Sequence, residues 1–291
     1  MDDTLAAPMP LAAVLLVLGA AVVHSSWNLL LKREGGRPEL LLGALVVGAV
    51  AGMPFLFSYP LAEIPLEGWA LVLASAIFET GYMLALSSAY RVGDLSLVYP
   101  VARGTAPIIV VPLAALLLGE RVSTQGLLGV LLVVAGIFAS HVPALGTLAT
   151  TREARQAVGF AALTGLMTAG YSLVNKVGVS VVPVPVYAVA VFATNAVFLT
   201  IILRLRGMVL VGRDTRWRAT ATIGVLMMTS YVAIMWAMSM APVSYVVAAR
   251  EVSIVVGAAL GAVTLRERHP ASRVAGAAVI FAGLAVIALA R

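Results

Sequence analysis

The chain reads as apolar runs of near-constant length separated by short polar breaks. Ten runs stand out: residues 10–32, 38–57, 68–90, 94–118, 123–141, 156–176, 183–206, 217–239, 243–265 and 270–290. Each is close to the ~20 apolar residues that a helix needs to cross a bilayer. None alternates with the period of a barrel strand, and a bilayer interior tolerates no unpaired backbone, so the runs are expected to be helices. Several breaks are turns with Gly, Pro or Asp, such as "RVGD" at Arg91 and "MAPVS" at Met240. Trp69 and Trp217 open their runs, where interfacial aromatics belong. The longest break, "VPALGTLATTREARQ" from Val142, falls at the middle of the chain.

That midpoint separates two similar halves. Sliding the sequence by 147 positions lays Ala102-Arg103 on Ala249-Arg250, Glu120-Arg121 on Glu267-Arg268, and Gly129 and Gly136 on Gly276 and Gly283. A slide of 144 lays "WNLLLK" at Trp27 on "YSLVNK" at Tyr171. The expected architecture is an all-α membrane protein of ten transmembrane helices, built as two five-helix repeats over residues 1–146 and 147–291. Five is odd, so the repeats must be inverted across the membrane, a signature of transporters that work by alternating access.

Composition strengthens this reading. The chain is 62% hydrophobic and 11% charged, against roughly 25% charged in a soluble domain. The net charge of +6 sits at the ends of the runs. It therefore reads as a topology signal, with no nucleic-acid patch. Fourteen lysines and arginines, from Lys32 to Arg273, fall on one side, and three, Arg121, Lys176 and Arg291, on the other. The positive-inside rule then puts both termini in the periplasm of a bacterial inner-membrane protein. Cysteine is absent, which excludes disulfides and thiolate metal sites. The acidic start "MDDTLAAPMP" lacks a basic n-region, so the first run is expected to be a retained span.

Ionisable groups inside the runs carry the candidate chemistry. Each costs about 2.5–3.5 kcal/mol on insertion scales, so it must face a cavity or a partner. His24, Glu79, Arg103, Arg250 and Glu251 are such groups. The arginines suit a substrate carboxylate or phosphate, and Glu79 suits an amine or a proton; the alternative is a buried Arg–Glu pair that locks helices together. Helical spacing adds neighbours: Trp27 or Asn28 one turn after His24, Tyr82 and Leu86 on the face of Glu79, Tyr99 four residues before Arg103, and Asn175 four after Tyr171. Tyr231 and Trp236 complete the aromatic candidates in the eighth run; for all of these rings, ordinary packing is the competing reading. Pro100, Pro107 and Pro112 free backbone carbonyls in the fourth run and can bend it, while the ninth has no proline in its core.

Ten spans, inverted halves, the "GER" turn at Gly119 and "RER" at Arg266 resemble the EamA branch of the drug/metabolite transporter superfamily, over nearly the whole chain. The expectation extends to aromatic amino-acid exporters of the YddG type. The small four-helix multidrug members of the superfamily resemble one half of this chain. Their first helix carries a proton- and drug-binding glutamate eight residues before a lysine; His24 and Thr168 stand there in the two halves. The binding tyrosine of their third helix falls on Tyr99, and on Val246, next to Tyr245, in the second half. Their dimerising glycines match Gly129/Gly136 and Gly276/Gly283, which implies contact between the fifth and tenth helices. Relatives commonly keep both termini in the cytoplasm, and the arginine count here says the reverse.

The function expected is a secondary transporter, exporting amino acids or related small metabolites through a central cavity lined by helices 1, 3, 4, 6, 8 and 9. Its partners are a small-molecule substrate and the lipid bilayer, and it works as a monomer, without cofactor or metal. A proton-coupled multidrug exporter is the runner-up. An intramembrane enzyme would need a paired acid and base or a metal motif, and His24, His141 and His269 lie far apart. A channel would more naturally form by oligomerising.

Overall fold

The structure is a computed structural model that describes residues 9–34, 37–140, 151–208, 216–265 and 271–290. The "RERHP" run at 266–270, His141, most of the central linker, Arg213 and both termini lie outside the described residues. Among the described residues all regular structure is helical. The helices are α1 (Leu11–Arg33), α2 (Pro38–Gly52, continued by a 3₁₀ turn to Ser58), α3 (Leu66–Val92), α4 (Leu95–Leu118), α5 (Thr124–Ala139) and α6 (Arg152–Val181). Then follow α7 (Val184–Leu205), α8 (Trp217–Met240), α9 (Val243–Ala249), α10 (Val252–Leu265) and α11 (Ala271–Leu289). Eight of the stretches are long and apolar enough to cross a membrane, and α5 is a shorter apolar helix. The chain is a multi-span helical membrane protein.

One expectation is corrected. The ninth run is two helices, broken at Arg250-Glu251. At the break the backbone turns to shorter-range bonds, Glu251 N to Ala248 O and Ser253 N to Arg250 O, both 3.1 Å. The proline-bearing fourth run, by contrast, is a single helix through Pro100, Pro107 and Pro112. Inside a bundle, neighbouring helices brace a proline-containing span. The sixth run is also longer than its apolar core suggests. Thr151 caps α6 by accepting from the Ala154 N–H at 3.1 Å, which draws the polar "REARQ" segment into the helix.

α5 and α11 pack through glycine. A Cβ added to Gly136 would lie 2.8 Å from the Gly276 carbonyl oxygen, and one added to Gly129 would lie 2.9 Å from that of Gly283. Missing side chains thus let the two backbones touch, the close approach that small residues permit in membranes.

At the end of the bundle where α1 starts, buried residues of α1, α4 and α6 to α9 form one continuous core. A second cluster runs along α2, α7 and α8, from Leu40 to Ala49 and from Ala188 to Leu203, and a third joins α3, α4 and α6. Polar bonds fasten the continuous end. Gly119, with φ of 65°, ends α4 and turns the chain. The Glu120 carboxylate then accepts from Val243 N at 2.6 Å, Ser244 N at 3.2 Å and Ser244 Oγ at 2.9 Å, at the start of α9. Lys176 Nζ donates to the carbonyls of Met238 at 2.7 Å and Ala241 at 2.9 Å, at the end of α8. The α8–α9 turn is held on both flanks by charges that suit the helix ends they meet.

Candidate functional site

A cavity of about 170 Å³ lies in the middle of the bundle. Its apolar wall includes Ala20 and Ala21 of α1, Leu45 of α2, Met83 of α3, Phe192 of α7 and Met227 of α8. Its polar groups come from His24, Glu79, Tyr82, Arg103, Tyr171, Tyr231 and Arg250.

Glu79 is fixed by neutral donors. Tyr231 donates its hydroxyl to Oε1 at 2.9 Å, and Asn195 donates its amide to Oε2 at 2.5 Å. Thr80 donates to the other end of that amide, Asn195 Oδ1, at 3.2 Å, which sets which way the amide faces. Behind Tyr231 stands Asn175, which donates to the Tyr231 hydroxyl at 3.2 Å. Its own oxygen accepts from Ser75 at 2.6 Å and from Tyr187 at 2.9 Å. Among the described residues no cation lies within ion-pair distance of Glu79. A carboxylate so held keeps lone pairs available for an incoming cation.

The second polar group is a charge cluster. Arg103 Nε is 3.3 Å from Glu251 Oε2, and Arg250 Nε is 4.0 Å from Glu251 Oε1. Arg103 also donates to Ser253 Oγ at 3.2 Å, and Arg250 to the Tyr171 hydroxyl at 2.8 Å. The guanidinium carbons stand 5.8 Å and 5.7 Å from the ring centres of Tyr99 and Tyr171. Glu251 is 1% exposed and does not reach the cavity, whereas both arginines do. Two cations therefore share one buried anion, and the break between α9 and α10 is where that anion sits. His24 faces the same cavity, its ring edge-on to Trp27 with centroids 4.8 Å apart. The Trp27 indole N–H is buried with no hydrogen-bond partner.

The EamA-like transporter family matches residues 11–141 and again 155–289. The chain belongs to this family. A member of it is a membrane transporter of small molecules, and the cavity lies among α1 to α4, α6 to α8 and the break between α9 and α10. No curated protein sequence matches the chain. A solved crystal structure, described only as that of a protein, is similar over 95% of this chain and 96% of its own, with a TM-score of 0.78 at 21% identity. At that identity the likeness bears on the fold alone.

Within this EamA protein the fourteen residues singled out from the sequence separate into three groups. His24, Trp27, Glu79, Tyr82, Arg103, Tyr171, Tyr231 and Arg250 line the cavity. Tyr99, Asn175 and Glu251 stand behind the lining and hold its members. Asn28, Trp236 and Tyr245 lie elsewhere. Asn28 is exposed and bonds back to the His24 carbonyl at 2.8 Å, and Trp236 is 42% exposed on the outer face. Tyr245 is fully buried at the sealed end, with its hydroxyl 3.1 Å from Ser123 N. The lining also takes in α2 and α7, beyond the six helices expected. Asn195, Ser75 and Tyr187 escaped the sequence reading. The signal for Asn195 was present: a lone amide in an apolar run follows the same rule that singled out Glu79.

Proposed function

We propose that the chain is a secondary transporter that exports amino acids or related small metabolites by alternating access through this cavity. The observation that carries the reading is the chemistry of the two polar groups. Arg103 and Arg250 offer donors for a carboxylate, Glu79 offers an acceptor for an ammonium, and apolar and aromatic side chains remain for the rest of the molecule. Within this reading, the rings of Trp27, Tyr82, Tyr171 and Phe192 favour the large side chains of the YddG-type expectation.

The two matches to the family, and the glycine contact between the equivalent helices α5 and α11, support two inverted repeats, 1–146 and 147–291. Because that glycine face is used within one chain, the monomer is the working unit.

Counterflow in liposomes tests the reading. Protein loaded with unlabelled neutral amino acids should accumulate the labelled ones and leave nucleosides and cationic dyes outside. Dye accumulation without amino-acid exchange would favour the multidrug reading instead. Fourteen basic residues against three support a reading in which both termini are periplasmic in a bacterial inner membrane. Alkaline phosphatase fused after Arg291 should be active, and a fluorescent cytoplasmic reporter there should be dark; bright fluorescence would reverse the orientation.

A further inference from the structure

We propose that Glu251 sets the charge selectivity of the cavity: as the shared counter-ion of Arg103 and Arg250, it leaves that pair one net positive charge, which matches one carboxylate and excludes a second. The proposal rests on the amino-acid reading above and adds a class to it: neutral amino acids are carried, and those with an acidic side chain are rejected.

Glu251 cancels charge without using up donors. Arg103 Nε and Glu251 Oε2 are 3.3 Å apart, yet neither has a partner in hydrogen-bonding geometry. The Arg250 contact, at 4.0 Å, is beyond hydrogen-bond reach. Each guanidinium has more N–H groups than its bond to Ser253 or Tyr171 consumes. An incoming carboxylate can therefore bond both arginines while Glu251 stays in place beneath them. The cluster sits at the helix break, where Arg250 and Glu251 are neighbours and their side chains come within 4.0 Å of each other.

In this proposal both carboxyl groups are taken as ionised and His24 as neutral. Arg103 and Arg250 then contribute two positive charges and Glu79 and Glu251 two negative ones, so the sum is zero. A zwitterion keeps it at zero, with its carboxylate at the arginines and its ammonium at Glu79. A further carboxylate on the substrate adds a negative charge with no partner, in a setting where water screens poorly and isolated charge is strongly penalised. Removing the charge of Glu251 reverses the preference, because the leftover positive charge is then available to the acidic side chain.

The test compares full-length wild type, E251Q and E251D in liposomes, using counterflow of labelled L-leucine and L-glutamate. Wild type should exchange leucine and exclude glutamate. E251Q should raise the glutamate-to-leucine ratio by about tenfold or more, and E251D, which keeps the charge, should hold the wild-type ratio. A purely structural Glu251 would lower both substrates together; an unchanged ratio in E251Q overturns the proposal. Should E251Q not fold, S253K adds a positive charge beside the same arginines. It should raise the same ratio, and a ratio equal to wild type overturns the proposal. Wild type that exchanges glutamate as readily as leucine also overturns the selectivity but leaves the amino-acid reading standing. Wild type that exchanges no amino acid overturns both.

Discussion

Glu79→Gln should reduce transport of the carried amino acid by about 10- to 100-fold while the protein still folds and inserts. A hydrogen bond to a charged group is worth about 1.5–3 kcal/mol, and ~1.4 kcal/mol is a factor of ten. The substitution removes the negative charge that would receive the ammonium and changes little else. The amide oxygen can still accept from Asn195, and the amide nitrogen can donate to the Tyr231 hydroxyl, whose own proton is the one group that loses its acceptor. A neutral amide is also cheaper at that depth than a carboxylate. The measurement is initial counterflow rate against expression level and melting temperature. Transport at the wild-type rate would show that Glu79 takes no part in binding. His24→Asn is the companion: loss in E79Q with normal rates in H24N places the requirement on α3 rather than α1.

Gly136→Leu should lower the melting temperature in detergent by about 2–12 °C. The first added carbon already meets the Gly276 carbonyl oxygen and Ile280 at 2.8 Å. A backbone oxygen cannot swing aside as a flexible side chain can, so α5 and α11 must separate. Overpacking of this kind costs about 1–3 kcal/mol, and each kcal/mol shifts melting by about 2–4 °C in a chain of 150–250 residues. Gly159 is the control: nothing lies within 4 Å of a Cβ placed there, and Gly159→Leu should melt near wild type. Equal melting of the two variants would show that the α5–α11 contact contributes nothing to stability.

The spans were legible because the bilayer imposes their length and hydrophobicity locally. Ionisable residues within them were legible for a related reason, since each needs a polar partner wherever it lies. What the partner would be was not. The break at Arg250-Glu251 carries neither glycine nor proline; the carboxylate there meets Arg103, an arginine from the other half of the chain. Local propensity contains no trace of such a contact. The prolines of α4 are the converse case: a local signal that could break a helix leaves this one continuous from Leu95 to Leu118. Aromatic residues were the least legible. Helical spacing puts Tyr231 and Trp236 in one helix but does not tell which ring turns inward, and only Tyr231 reaches the cavity. Tyr245 shows the same limit lengthwise: it lies in the right span but at the sealed end, against Ser123.

The staples on the α8–α9 turn have a consequence for how this chain can change over generations. Glu120 takes two main-chain N–H groups and Lys176 two main-chain carbonyls, and such groups are present whatever side chains the turn carries. Ser239 and Met240 at the turn are exposed. Their identities can drift with the fastening intact. The vulnerability lies instead 123 residues upstream of the turn at Glu120 and 65 upstream at Lys176. A lesion at either would act like damage to the turn itself, although neither residue is near it in the sequence.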